Sequence, residues 1–132
     1  NLWIRPPIDS WDAEAAFESS NLNLNLLTGY RLLRQWGADV TLICAVADES
    51  ERALGEQFLR DVSDLARFPE RAERLVLVAD AFEDALRDAP VADASVIGLA
   101  LAPDVTRLIR WTHVTRSTCI FVRDSGQESA LV

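Results

Sequence analysis

Residues 21–46 carry the clearest pattern in the chain: NLNLNLLTGYRLLRQW at helical spacing, followed at once by the apolar run VTLICAV. At about 100° per residue, Leu22, Leu26, Tyr30, Leu32, Leu33 and Trp36 fall on one broad arc, and Thr28, Arg31, Arg34 and Gln35 fall on the other. Leu27 widens the arc and Leu24 lies on its far side, so the helix has more apolar surface than one sheet contact needs. Gly37 closes the helix. Residues 40–46 show no polar alternation apart from Thr41, the pattern of a strand covered on both faces.

The rest of the chain alternates in the same way. Residues 2–5 form a short strand that Pro6 and Pro7 end. Residues 8–20 keep no helical period and read as a partly ordered connection, with a helical turn or two around Trp11 to Phe17. After the second strand, Asp48, Glu49, Ser50 and Glu51 supply cap candidates and an acidic first turn. A helix follows to about Phe68, with Leu54, Phe58, Val62 and Leu65 as its apolar line and Pro69 as its stop. Residues 75–79 make a third strand, and Asp80 and Glu83 form a capping pattern for a short helix reaching Arg87. Residues 94–99 make a fourth strand; Pro103 and Asp104 open a helix whose buried line is Val105, Leu108, Ile109 and Thr112. Thr118–Val122 is the fifth strand, and RDSGQESALV leaves it. Helical crossovers between consecutive strands predict one α/β domain: a mostly parallel sheet with helices on both faces.

Composition narrows the functions. At 132 residues and 49% apolar, the chain suits a single core. With 13 basic and 21 acidic residues, its net charge of −8 opposes binding to nucleic acid or an anionic membrane surface. No apolar run approaches the roughly 20 residues of a membrane span. Cys44 and Cys119 sit inside strand-like runs without a CxxC neighbour, as buried thiols in a reducing, cytoplasmic compartment do. The start at Asn1 and the lack of Met suggest a piece of a longer polypeptide.

Ligands of such sheets bind beyond the carboxyl ends of the strands. The first exit, Arg5-Pro6-Pro7, has no glycine; the fourth has only Gly98, better suited to close packing against a helix than to a phosphate, and Asp104 would repel phosphates there. Asp124 to Gln127 reads as a turn. His113 sits late in a helix, beside Arg110 and Arg116, with no nucleophile or carboxylate fixed near it. One His and two separated Cys cannot supply zinc-ligand spacing. No catalytic residue, metal ligand or cofactor site is therefore assigned. Of the tryptophans Trp3, Trp11, Trp36 and Trp111, any exposed one would mark an interface, and Trp11 is the first candidate.

The segments NLNLNLLTGYRLLRQWGADVTLICAV, SVIGLA and TCIFVRDSGQESALV resemble the C-terminal cytoplasmic region of cation-chloride cotransporter-like proteins of the amino acid-polyamine-organocation transporter superfamily. Val122, Arg123, Gly126 and Glu128 match the family's closing strand and tail, while Asp124 and Ser125 replace two of its glycines. The resemblance implies a universal-stress-protein-like fold, with five parallel strands in the order 3-2-1-4-5. It also implies a non-catalytic regulatory and dimerisation domain on the cytoplasmic side of the cell membrane. Its partners would be a second copy, the transporter's membrane domain and the preceding cytoplasmic subdomain. Trp11, Leu24, Leu27, Arg31 and Arg34 are the interface candidates, and the closing pattern makes Val132 the expected C-terminus. The alternative is a stand-alone universal-stress-protein-like nucleotide binder. Against it, nucleotide-holding members of that family use several glycines after the fourth strand and an Asp near the end of the first; here only Gly98 and the displaced Asp9 stand there.

Overall fold

The structure is a computed structural model that describes residues 1–19 and 21–131; Ser20, the end of the 8–20 connection, and Val132, the expected C-terminus, lie outside the described residues. Strands β1 (Leu2–Trp3), β2 (Thr41–Val46), β3 (Glu73–Val78), β4 (Ala94–Gly98) and β5 (Thr118–Val122) form one parallel sheet in the order β3-β2-β1-β4-β5. Helices α1 (Ala13–Ser19), α2 (Leu22–Gln35) and α3 (Arg52–Leu65) cover one face, and α4 (Phe82–Asp88) and α5 (Val105–Thr115) the other. This is the α/β sandwich and strand order expected above.

Pro6 keeps β1 to two residues, although Ile4 N–H still donates to Ile43 O at 2.8 Å. Strand alternation sends Leu2 and Ile4 into the core under α1–α3 and Trp3 into the smaller core under α4 and α5. Helix α2 lies so close to β1 that a Cβ on Gly29 would fall 2.1 Å from Leu2 Cδ1. In the smaller core, Trp3, Phe82 and Trp111 stack edge to face, with ring centroids 5.1 Å apart at each step.

The connection before α2 is more ordered than its period suggests. Asp12 Oδ1 accepts from Glu14 and Ala15 N–H and so starts the seven-residue α1, where Ala13, Ala16 and Phe17 are buried. Helix α2 shows a second difference. Leu22, Leu26 and Leu33 are buried as expected and Leu32 is half-buried, but Tyr30 is 40% and Trp36 79% exposed, whereas Asn23 and Asn25 are buried.

Helix α3 is rolled relative to its expected line. Phe58 and Val62 are buried, but Leu54 is exposed, and Gly55 faces the sheet, with its would-be Cβ 3.2 Å from Val46 Cγ1 and Val76 Cγ1. It ends earlier than Phe68, in a Schellman motif with Arg67 in the left-handed conformation (φ 47°) and Phe68 N–H bonded to Ser63 O. The cap expected from Asp80 is also absent: Ala81 occupies the N-cap of α4 without a side-chain bond, and Glu83 pairs with Arg110 at 3.4 Å. In α5 the expected inner line is largely outside, since Val105 and Ile109 are 65% and 54% exposed; Trp111 and Val114 face the core instead. Asp104 does cap this helix, accepting from Thr106 and Arg107 N–H.

Candidate functional site

Three asparagines of the NLNLN repeat act as side-chain ties at the start of α2. Asn21 donates to Leu99 O at 2.7 Å and accepts from Asp124 N–H at 2.8 Å, joining the exits of β4 and β5. Asn23 donates to Phe17 O and accepts from Ala130 N–H, both at 2.8 Å, linking α1 to the tail. Asn25 donates to Trp3 O at 3.0 Å, while its Oδ1 is buried without a partner among the described residues. A carboxamide suits each position because it carries a donor and an acceptor on a short stem. These were the functional side chains that hydrophobic periodicity missed; the visible signal was asparagine at alternate positions, against its low helix preference.

Two of these ties, Asn21 and Asn25, also wall a crevice. Because β1 lies between β2 and β4, crossovers on its two sides run apart and leave a gap beyond the strand ends. A cavity of about 510 Å³ opens there, within the size range of small-molecule sites. Its floor is Trp3 and Ile97, its rim is the Arg5-Pro6-Pro7 exit, and Asn25 and Phe82 close opposite sides. Arg5 is exposed and stacks over the Phe82 ring, 5.9 Å from the centroid. Gly98 does pack against the start of α2: a Cβ there would lie 3.0 Å from Asn21 Nδ2. Gly98 is the lining's single glycine, so no glycine-rich loop borders the cavity, although the first turn of α2 (Asn21, Leu22, Asn25) does.

The tail closes on itself beside Asn21. Gly126 N–H donates to Asp124 Oδ1 at 2.7 Å in a turn with φ 81° at the glycine, as the segment's composition suggests. The Ser125 hydroxyl and amide hold the Glu128 carboxylate and lower its pKa to about 2. Burial, with a smaller contribution from Glu51, pushes the Cys44 thiol up to about 12, so it is an inert core group. His113 is exposed on α5. Among the described residues no three His, Cys, Asp or Glu side chains are grouped to hold a metal ion, and no helix is long and apolar enough to cross a membrane.

The interface candidates fall in two places. Leu24, Leu27, Arg31 and Arg34 form one stripe along α2, its leucines half-buried at the edge of the core and its arginines exposed. Arg34 stacks over Tyr30, 5.8 Å from the ring centroid. Trp11 is apart from them, half-buried and edge-on to Phe58 at 6.1 Å, beside a hollow bordered by Asp12, Glu14, Asp61 and Asp64.

Comparison with known proteins agrees with this architecture. The family described as prokaryotic cation-chloride cotransporter, C-terminal domain, 2nd, matches residues 1–131. The chain is similar, at 28% identity and a TM-score of 0.81, to a solved structure described as the crystal structure of the cytoplasmic domain of a prokaryotic cation chloride cotransporter. The match covers 98% of this chain and 47% of that one, so the chain spans about half the length of that domain. No curated protein matches it. The chain belongs to the family of second C-terminal domains of prokaryotic cation-chloride cotransporters.

Proposed function

We propose that the chain is a non-catalytic cytoplasmic regulatory domain of a cation-chloride cotransporter-like membrane protein, and that it self-associates. The observation that carries the self-association is α5. The helix has no buried residue, and Val105 and Ile109 stand exposed beside Leu101, which is 86% exposed. That apolar surface adjoins β5, which pairs with β4 on one side only and has no charge or proline to guard its open edge. The opposite edge strand, β3, begins with the exposed Glu73 and Arg74. A second copy of the chain would cover both the α5 stripe and the β5 edge.

The α2 stripe of Leu24, Leu27, Arg31 and Arg34, with Trp11 on α1's side, is the second surface of this reading. It is offered to the preceding cytoplasmic subdomain or to the membrane domain, in keeping with a related structure about twice as long. The test is ion flux through the intact transporter after V105D/I109D and, separately, R31E/R34E. Each pair is expected to change maximal flux several-fold while leaving the apparent ion affinity unchanged. Unaltered flux in both would refute the regulatory role.

A further inference from the structure

The crevice at the ends of β1 and β4 has a charge pattern unlike the rest of the protein. The chain carries 21 acidic side chains against 13 basic ones, yet none of the residues lining the cavity is acidic. The one ionised side chain in the lining is Arg5, and among the described residues it has neither an ion pair nor a hydrogen bond; its recorded contact is the Phe82 ring. Asp124, tied to the wall through Asn21, accepts from Gly126 N–H with one carboxylate oxygen, its other oxygen is buried without a partner among the described residues, and the residue lies outside the lining. An exposed, unpaired guanidinium at the mouth of a cavity with no acidic lining residue suits an anion, because its planar fork matches a carboxylate in two parallel hydrogen bonds.

The remaining surface fixes the body of the ligand. Pro6, Pro7, Ile8, Phe82, Ile97 and Leu99 supply apolar and aromatic walls. A polyphosphate needs several cations or a glycine-rich run of backbone amides around it; the lining offers one arginine, two prolines and a single glycine, with the first turn of α2 as its one further anion-favouring feature. We infer that the switch-point cavity binds a small monocarboxylate with an apolar, planar or branched body, its carboxylate on Arg5 and its body against Phe82 and Ile97. Such a ligand is an uncatalysed effector: the site holds it but offers no group to transform it. The inference goes beyond the self-association reading and does not rest on it.

The test is two-dimensional amide NMR of the ¹⁵N-labelled chain, titrated separately with phenylacetate, indole-3-acetate and isovalerate, then with phenylacetamide and ATP. At least one carboxylate is expected to saturate with about millimolar or tighter affinity, shifting the Trp3 indole, Asn25 side-chain and Gly98 amide signals. Arg5 is exposed, so R5Q should keep its melting temperature, and it should weaken the carboxylate at least about 10-fold, since a charge-assisted bidentate pair is lost. Phenylacetamide should bind at least about 10-fold more weakly than phenylacetate for the same reason. Four results would overturn the inference: no saturable shift with any carboxylate, shifts away from the cavity, equal binding of phenylacetamide, or tighter binding of ATP at the same signals. The last would make the cavity a nucleotide site.

Discussion

Gly29→Ala should destabilise the domain although alanine is the better helix former. In an exposed helix interior the exchange favours the folded state by about 0.5–1 kcal/mol. Here the new Cβ would meet Leu2 Cδ1 at 2.1 Å and Leu2 Cδ2 and Cγ at 2.9 Å. Leu2 is 2% exposed on the two-residue central strand, so it has no open space to turn into. Forcing a methyl into a packed interior costs about 1–3 kcal/mol, and a contact this close belongs at the upper end, leaving a net loss of roughly 2 kcal/mol. Leu2→Ala alone removes buried volume and should cost about 2–5 kcal/mol. In the double variant the Gly29→Ala methyl occupies part of the space that Leu2 vacates, so the combined loss should fall short of the sum by at least about 1 kcal/mol. Urea denaturation of the four proteins at one pH gives the cycle. A stabilised Gly29→Ala variant, or strict additivity with Leu2→Ala, would show that α2 does not press on β1 in this way.

Asn23→Ala strips partners from Phe17 O and Ala130 N–H; a loss of about 1–3 kcal/mol is expected, together with faster proteolysis in the tail beyond Arg123, and an unchanged cleavage rate would contradict the tie. Cys44 is a neutral acid in the fold, with its pKa raised from 9.0 to about 12. The unfolded thiol therefore ionises first, and stability falls as pH rises from about 9 toward 12. Compared with Cys44→Ala, the native protein should lose roughly 2 kcal/mol more between about pH 8 and pH 10.5, read from urea curves; parallel pH profiles would refute the burial argument. Glu128 titrates the other way: the Ser125 bonds hold its pKa down to about 2, so the turn they make persists above the ordinary 4.5 and is lost as pH falls through about 2. Carboxyl NMR should place its midpoint there and move it upward in Ser125→Ala; a native midpoint near 4.5 would mean the bonds do not form.

The order of elements was readable because most crossover helices carry a stop and the strands carry short, mainly apolar runs. Pro6, Gly37, Pro69 and Pro90 all punctuate where the chain changes element. The helix faces were less readable, for a different reason in each case. In α5 apolar residues cover more than half the circumference, and spacing alone cannot say whether Val105 and Ile109 or Trp111 and Val114 meet the sheet. In α3 the sheet-facing position is Gly55, which carries no hydrophobic signal but permits the closest approach. The site was the least legible part. Asn23 and Asn25 count as polar in any periodic reading, yet they are buried because chain segments far apart in sequence need a donor and an acceptor at one point. Arg5 likewise gains its meaning from the crossovers that run apart on the two sides of β1, which no local pattern shows.

We propose that this domain pairs with itself through α5 and the β5 edge. Sedimentation equilibrium of the chain across micromolar concentrations measures this most directly, with V105D/I109D as the comparison. The native chain should sediment as a dimer and the variant as a folded monomer with native circular dichroism. A native chain that stays monomeric at high concentration, or a variant that still dimerises, would rule out this pairing.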